Sequence, residues 1–147
     1  MKIKFKKMHP LASMPKKAHR TDAGFDLYCC DFVIDWGKQE LVCRTGIAVE
    51  IPEGYAGLIF PRSSIANKPM ILHNSVGVVD SGYTGEITAK FIITDARAFL
   101  QEDENKYRVG DRIAQMVILP YPEIEFEEVE ELKETERGAG GYGSTGR

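Results

Sequence analysis

The sequence is divided into short apolar stretches by glycine and proline, and no stretch carries the spacing of a long amphipathic helix. Residues 1–8 alternate apolar side chains with lysines, which predicts a strand with one buried face. Further strand-like runs lie at 23–34, 40–51, 55–60, 86–94, 112–119 and 124–129. Many short strands between turns predict an all-β fold, either a jelly-roll-like β-sandwich or a distorted barrel.

The length and the last residues of the chain predict its domain organisation. A chain of 147 residues is long enough for one domain with a substantial core. We predict that this β-sandwich domain spans residues 1–136 and that residues 137–147 form a flexible lid. Five of those last eleven residues are glycine, so the segment has little to bury and is costly to order.

Charge, cysteine content and hydropathy exclude several classes of function. The formal net charge of −3 does not favour stable binding to nucleic acid. Three cysteines without metal-ligand spacing predict free thiols in a reducing compartment. No apolar run approaches the ~18 residues of a membrane span, and no signal peptide opens the chain. We therefore expect no membrane partner and a cytoplasmic location, or the host-cell cytoplasm for a viral protein.

The strongest candidate for chemistry is the stretch 76–87, VGVVDSGYTGEI. Valine, isoleucine and tyrosine on either side of a Ser-Gly pair predict a tight β-hairpin. Such a hairpin would hold Asp80 at a strand end, where a catalytic group is well preorganised. The alternative is an ordinary hairpin with an exposed aspartate in its turn, and this stretch alone does not decide between the two.

Three other clusters carry glycine, charged or hydroxyl residues. In PRSSIA (61–66), an arginine and two serines suit phosphate oxygens, although a salt bridge and a helix cap are the simpler interpretation. In AGFDLY (23–28), Asp26 is either a structural turn acid or a group that reaches a metal through water. In GDRIAQ (110–115), a structural Asp111–Arg112 network is favoured, whereas Gln115 would be a buried amide in need of partners.

The tail itself has two interpretations. Its bare backbone N–H groups, hydroxyls, cation and aromatic ring suit a lid that closes over phosphates. A flexible tail without function is the alternative, and the segment lacks the spacing of a standard P-loop.

Taken in order, these motifs resemble those of a known family. AGFDLY, PRSSIA, GVVDSGYTGEI, GDRIAQ and RGAGGYGSTG are similar to the five motifs of trimeric dUTP diphosphatases (dUTPases) and run from Ala23 to the C-terminus. The resemblance implies a jelly-roll-like homotrimer with shared active sites and exchanged C-terminal tails. It also implies Mg²⁺-dependent hydrolysis of dUTP to dUMP and diphosphate by attack of water on the α-phosphorus, which removes dUTP and supplies dUMP.

The resemblance assigns roles residue by residue. Asp80 matches the general base that activates the attacking water, and Asp26 matches the acid that reaches Mg²⁺ through water. Tyr83 matches the aromatic residue on the deoxyribose, and Asn74 matches the reader of the uracil edge. The full set of implied substrate-binding residues is Arg62, Ser63, Ser64, Asn74, Gly77, Val79, Tyr83, Gln115, Arg137, Tyr142, Gly143, Ser144 and Thr145.

Three departures from the family pattern stand out. Thr84 occupies a position where arginine or glutamine is common, and Tyr142 replaces the usual phenylalanine. The segment 95–107 is longer than usual, and we predict a surface excursion that can contact a protein partner.

The sequence also allows two other functions. The related dCTP deaminase shares the fold, but it would need a catalytic glutamate and a tryptophan near the position of Tyr83. A nucleotide-sensing protein would use the 95–107 excursion to bind a regulator.

Overall fold

The computed structural model describes residues 1–141, and its regular structure is almost entirely β. The described strands are β1 (Lys4–Lys7), β2 (Phe25–Tyr28), β3 (Asp31–Asp35), β4 (Glu40–Arg44), β5 (Ile47–Glu50), β6 (Tyr55–Pro61), β7 (Met70–Leu72), β8 (Gly77–Val79), β9 (Thr88–Ile93) and β10 (Arg112–Pro120). The helical elements are α1 (Ala96–Gln101) and two 3₁₀-helices, Ser63–Asn67 and Asp103–Asn105. The prediction of an all-β fold is confirmed.

The strands form two four-stranded sheets and one two-stranded ribbon. The first sheet has the order β2-β10-β6-β8, the second has the order β3-β4-β9-β7, and β1 pairs with β5. Every pairing between these strands is antiparallel. Non-consecutive neighbours within each sheet mean that the chain crosses repeatedly between the sheets.

The core lies between the two four-stranded sheets and draws on both. Leu27 and Ile113 from the first sheet and Leu41 and Phe91 from the second are almost completely buried. In β9, outward Thr88 and Lys90 alternate with buried side chains, so the period-two pattern of the sequence is realised there. Burial of apolar side chains of this size contributes about 1.5–3 kcal/mol each.

The first strand differs from its prediction in burial. Residues Lys4–Lys7 form a strand, but all four side chains are exposed. The reason is that β1 pairs only with β5 in a two-stranded ribbon, while the neighbouring Ile3 makes the packing contact with the core.

The predicted hairpin around Asp80 is wrong. A turn is present, because the Tyr83 backbone N–H donates to the Asp80 carbonyl at 3.1 Å. However, β8 pairs with β6, whereas β9 pairs with β4 and β7 in the other sheet. The chain leaves the first sheet after the turn because Ile87 forms backbone hydrogen bonds with Thr45 and Ile47.

The predicted last strand is also wrong for the described residues. Residues 121–141 contain no strand, and the Phe126 side chain is 94% exposed. An alternating segment becomes a strand only when another strand offers its backbone groups, and none does so within the part of the chain that the structure describes. Across residues 1–141, no helix has the length and apolar character needed to cross a membrane.

The 95–107 excursion is anchored to the body of the domain. Asp95 caps α1 by accepting a hydrogen bond from the Ala98 N–H at 2.9 Å. Phe99 is fully buried, and its ring meets Trp36 edge to face with centroids 6.1 Å apart. The excursion is therefore a packed element with a fixed position on the domain.

Candidate functional site

One group of predicted site residues lies at one end of the first sheet. Gln115 in β10 is directly opposite Asp26 in β2 on one side and Phe60 in β6 on the other. Arg62 follows β6 immediately, so it enters the same end of the sheet. Strand register thus brings together residues from three separate motifs, and we call Asp26, Arg62, Arg112 and Gln115 the Asp26 cluster.

Asp26 is buried and is held by two arginines. Arg62 Nε donates to Asp26 Oδ1 at 2.8 Å, and Arg112 Nη1 donates to Oδ2 at 3.3 Å. Charge-assisted bonds of this kind compensate for the removal of the carboxylate from water. The expected Asp111–Arg112 network is wrong, because Arg112 pairs with Asp26, while Asp111 accepts a hydrogen bond from the Arg108 backbone.

The alternative interpretation of PRSSIA is realised in part. The salt bridge exists, since Arg62 pairs with Asp26. The serine cap does not, because Arg62 itself occupies the N-cap position of the 3₁₀-helix that starts at Ser63, and no side chain caps that helix. In the described chain, the pairing engages only Nε of Arg62, and Ser63 and Ser64 lie beside it at the start of the helix.

Gln115 is half-buried, and its amide has one hydrogen-bond partner among the described residues. Its Nε2 donates to the Pro61 carbonyl at 3.3 Å. Gly24 lies against the other side of the amide, where an added Cβ would be 2.8 Å from Gln115 Oε1. The glycine of AGFDLY therefore makes room for the glutamine of GDRIAQ.

A second group of predicted site residues lines a cavity of about 220 Å³, which we call the Asp80 cavity. The predicted site residues on its wall are Asn74, Gly77, Val79, Asp80 and Tyr83. The Asp80 side chain is exposed at the end of β8, where a carboxylate can meet water. The Asp80 carboxylate, the Tyr83 ring and the Asn74 amide therefore line the same cavity. Asp80 follows β8 directly, and the other two residues lie in separate loops.

Tyr83 is fixed over the cavity by its own loop. Its phenol donates to the Glu86 carbonyl at 2.9 Å, and its ring passes directly over Gly85. A Cβ at Gly85 would lie 2.6 Å from the Tyr83 phenolic oxygen. Glycine is required there because of close contact and not because of backbone conformation.

We expect Gly85→Ala to raise the KM for a nucleotide that packs on Tyr83. Moving the ring breaks the internal hydrogen bond that positions it. Restoring that position on binding would cost about 1 kcal/mol, which corresponds to roughly fivefold in affinity. Gly82→Ala is the matched control, because a Cβ at Gly82 meets no atom within 4 Å. Steady-state kinetics of both variants test this, and equal KM values for the two would contradict it.

Asn74 is carried by a short, pinned loop. The His73 backbone N–H donates to the Lys90 carbonyl, and the His73 ring bonds the buried Glu40 carboxylate. Ser75 takes a left-handed conformation with φ of 59°. The Asn74 amide is consequently held close to Gly77, where a Cβ would lie 3.2 Å from Nδ2.

Sequence reasoning missed two residues of these groups. Glu86 lines the Asp80 cavity and ties its loop to the domain by accepting from Arg44 Nη2 at 2.6 Å and from the Gly46 N–H at 2.8 Å. The sequence signal for Glu86 was a charged residue between Gly85 and the β-branched residues Ile87 and Thr88. Arg112 is the second missed residue, because the sequence analysis paired it with Asp111 whereas it binds Asp26. Thr84 lines a different depression, beside Lys4 and Lys6.

Asp80 and Arg62 lie at opposite ends of β6 within one chain. Gly77 is opposite Ile59 and Val79 is opposite Gly57, so Asp80 continues towards the start of β6. Arg62 follows the other end of that strand. Asp80 is six residues of extended strand from the level of Arg62, or about 20 Å, and four residues, or about 13 Å, from the level of Phe60, which Gln115 faces. The described part of one chain therefore does not bring Asp80 to the Asp26 cluster.

Arg137 is the one tail residue of the predicted site that the structure describes, and it joins neither group. Arg137 is exposed, and its Nε donates to the Gly140 carbonyl at 3.0 Å. Tyr142, Gly143, Ser144 and Thr145 lie outside the described residues.

A directly ligated metal is not built into residues 1–141, where no three His, Cys, Asp or Glu side chains cluster as a ligand set. The acid that the resemblance assigns to a water-bridged metal is Asp26. A carboxylate accepts about four hydrogen bonds, and the two arginines use one position on each oxygen. The carboxylate thus retains capacity for a metal-bound water.

Comparisons with known proteins identify the family. The family model described as dUTPase matches residues 11–146. A deoxyuridine 5'-triphosphate nucleotidohydrolase of Corynebacterium glutamicum is 44% identical over 147 residues, which cover 99% of this chain and 95% of that protein.

Solved structures give the same family. The Staphylococcus bacteriophage 80alpha dUTPase G164S mutant with dUpNHpp superposes with a TM-score of 0.85 at 30% identity, over 99% of each chain. A D95N mutant dUTPase from phage phi11 of S. aureus, described as revealing the coordination of a structural Mg(II) ion, has a TM-score of 0.74 at 26% identity. That match covers 89% of this chain and 98% of the phage protein.

Proposed function

The chain belongs to the dUTPase family, and from that premise we propose that it hydrolyses dUTP to dUMP and diphosphate with Asp80 as the general base. The observation that carries the proposal is the Asp80 cavity. It combines an exposed carboxylate with an aromatic ring for a sugar and an amide for a base edge. A carboxylate so placed can orient a water and accept its proton as that water attacks the α-phosphorus.

Specificity for the base and the sugar would come from the cavity walls. Asn74 would bond the uracil edge, and Tyr83 would pack on the deoxyribose and exclude a 2′-hydroxyl. A site that hydrogen-bonds one base strongly rejects others, because its own polar groups would be left unpaired. We propose that Gly77 and Val79 complete this recognition through their backbone groups on β8.

The phosphates would be bound by the residues at the other end of β6. Arg62 and the serines Ser63 and Ser64 offer the fork of donors and hydroxyls that suit phosphate oxygens. Gln115 would contact a phosphate or a water. Mg²⁺, when bound, would neutralise the charge that develops on the triphosphate oxygens, and Asp26 would hold it through water.

We further propose that the active site is shared between subunits of a homotrimer. Along β6 of one chain, Asp80 is about 13 Å from the level of Gln115 and about 20 Å from that of Arg62, and this separation favours a site completed by a second copy. A neighbouring copy would supply the Asp26 cluster to the Asp80 cavity. Arg137, Tyr142, Ser144 and Thr145 of residues 137–147 would close the site as a lid from another copy.

Mixing two inactive variants tests the shared site. Asp80→Asn and Arg62→Ala subunits should each be inactive alone. After mixed refolding in equal amounts, about a quarter of the sites would join two intact halves, since each half is intact with a probability of one half. We expect about a quarter of wild-type turnover, and a mixture that stays inactive would contradict shared sites.

The reaction itself is tested by diphosphate release from dUTP, dCTP, dTTP and UTP, with Mg²⁺ and with a chelator. We expect release from dUTP alone and only with metal. Ammonia release from dCTP would instead favour the deaminase, which Asp80 and Tyr83 do not suit. Asn74→Ala should reduce the discrimination between dUTP and dCTP, because the amide that would reject the wrong base edge is lost.

A second role for the 95–107 excursion remains a prediction. Leu100 on α1 is 57% exposed although Phe99 beside it is buried. The helix therefore offers an apolar side chain on a firmly held element. Pull-down with the full chain and with a chain lacking 95–107 tests whether a protein partner binds here.

A further inference from the structure

A buried carboxylate lies outside both the Asp80 cavity and the Asp26 cluster. Glu40 begins β4 and is 6% exposed. Its strand neighbours are Asp35 in β3 and Ile92 in β9, and neither offers it a positive charge. A carboxylate in such a position is costly unless another group bonds it. The role of Glu40 therefore depends on the partner that compensates for its burial.

The partner of Glu40 is His73, which is 33 residues away along the chain. His73 Nδ1 lies 2.5 Å from Glu40 Oε1, and the His73 side chain is 49% exposed. The carboxylate is the acceptor, so Nδ1 is the donor of this bond. A carboxylate that bonds one imidazole nitrogen fixes both the orientation of the ring and the nitrogen that carries the proton. The pair therefore holds a half-exposed ring on a buried anchor.

His73 belongs to the loop that carries Asn74 from one sheet to the other. This loop, residues 73–76, leaves β7 in the second sheet and enters β8 in the first, and we call it the Asn74 loop. The His73 backbone N–H donates to the Lys90 carbonyl at 2.9 Å. Ser75 has a φ of 59°, a left-handed conformation that a residue other than glycine keeps only when its surroundings enforce it. The conformation of the loop therefore depends on contacts with the strands around it.

Open space lies on two sides of the Asn74 loop. One space is the Asp80 cavity, and the other is a depression of about 400 Å³ that His73 and Lys90 also line. Asn74 and Thr88 line both spaces, so the loop forms part of the wall between them. A wall of this kind has few packing contacts of its own, and a directed bond to a buried group holds it more firmly. The bond between His73 and Glu40 is the side-chain contact that ties the wall to the second sheet.

We propose that Glu40 and His73 are positioning residues that set the preference of the site for one base. Their bond would hold the Asn74 amide at the cavity wall beside Gly77, where a base edge would meet it. Neither Glu40 nor His73 lines the Asp80 cavity, so neither would touch the nucleotide. The inference rests on the proposed function, because it takes Asn74 as the reader of the uracil edge, and it adds the residues that hold that reader in place.

Steady-state kinetics of His73→Leu with dUTP and with dCTP test the proposal. Leucine retains an apolar bulk but cannot donate to Glu40. We expect KM for dUTP to rise about fivefold, the equivalent of one lost hydrogen bond, with kcat unchanged. The kcat should be kept because the turn between Asp80 and Tyr83 is formed by other contacts. The preference for dUTP over dCTP in kcat/KM should fall by the same factor, because dCTP gains nothing from an ordered Asn74 amide.

Two further variants separate positioning from stability. His73→Asn places an amide nitrogen where Nδ1 lies, so it should restore the bond to Glu40 and with it the wild-type KM. Glu40→Met/His73→Leu removes both partners, so no unpaired charge stays buried and the melting temperature should not fall. This double variant should still show the raised KM of His73→Leu, because an apolar pair packs without a fixed direction. His19→Leu is the matched control and should keep the wild-type KM, since His19 pairs with Asp22 at an exposed site.

The outcomes for the pair and for the proposed function are distinct, with Asn74→Ala as the reference. If Asn74→Ala loses the preference for dUTP while His73→Leu and the double variant keep the wild-type KM, the positioning role is overturned and the proposed function stands. The role is also overturned if His73→Asn behaves as His73→Leu does, because the bond is then not the cause. If the wild-type chain itself does not prefer dUTP over dCTP, the proposed function fails and this inference fails with it.

Discussion

Asp80→Asn is expected to lower kcat for dUTP by about 10²–10⁴-fold, the range that a general base typically contributes. Asparagine has nearly the same shape as aspartate but cannot accept the proton of the attacking water. The Asp80 cavity should keep its form, because Asp80 is exposed and its backbone carbonyl still accepts from the Tyr83 N–H. Single-turnover kinetics measure the loss, and titration with dUpNHpp should find its affinity retained.

The control for Asp80→Asn is Asp35→Asn. Asp35 carries a half-exposed carboxylate that pairs with Lys38 Nζ at 3.5 Å and accepts from the Lys38 N–H at 3.1 Å. It lies on the other sheet, outside the Asp80 cavity. The Asp35→Asn variant should turn over dUTP at the wild-type rate. If Asp80→Asn keeps more than a tenth of wild-type kcat, another group accepts the proton and the role of Asp80 is refuted.

Asp26→Asn should destabilise the fold as well as impair the enzyme. The change leaves Arg62 and Arg112 facing a neutral amide in a site where the Asp26 side chain is only 11% exposed. Removing one partner of a buried ion pair costs about 3–5 kcal/mol, and the partial exposure of both arginines reduces our expectation to about 2–3 kcal/mol. Urea denaturation followed by circular dichroism measures the free energy of unfolding.

A metal titration separates the two effects of Asp26→Asn. With an intact fold at low temperature, the variant should need more Mg²⁺ for half-maximal turnover, because the water-mediated ligand has lost its charge. Asp35→Asn again serves as the control, since an exposed pair is worth at most about 1 kcal/mol. An unchanged Mg²⁺ requirement would restrict Asp26 to the role of anchoring the arginines.

The strands were predictable wherever local pattern and tertiary contact agree. Buried Phe91 alternates with outward Lys90 in β9, and this alternation in the sequence predicts the strand. The segment at 124–129 carries a similar alternation but forms no strand, because strand pairing depends on a second segment that no local pattern reveals. The supposed hairpin failed for the same reason, since the hydrogen bonds of Ile87 to Thr45 and Ile47 are contacts distant in sequence.

The candidate site was predictable as a set of residues but not as an arrangement. Motifs identified Asp26, Arg62 and Gln115, and strand register brings them together. The partner of Arg112 was not predictable, because the carboxylate 86 residues away competes with its sequence neighbour Asp111. Nor does any motif indicate that Asp80 is at the far end of β6, since that depends on the antiparallel direction of β8.

The edge-to-face contact between Trp36 and Phe99 makes the excursion optically observable. Trp36 is the single tryptophan of the chain, and its ring lies 6.1 Å from a ring of α1. Its emission therefore reports on one helix without any label. Binding of a protein partner that displaces α1 would change the fluorescence of a known residue, and stopped-flow mixing would time that movement against turnover.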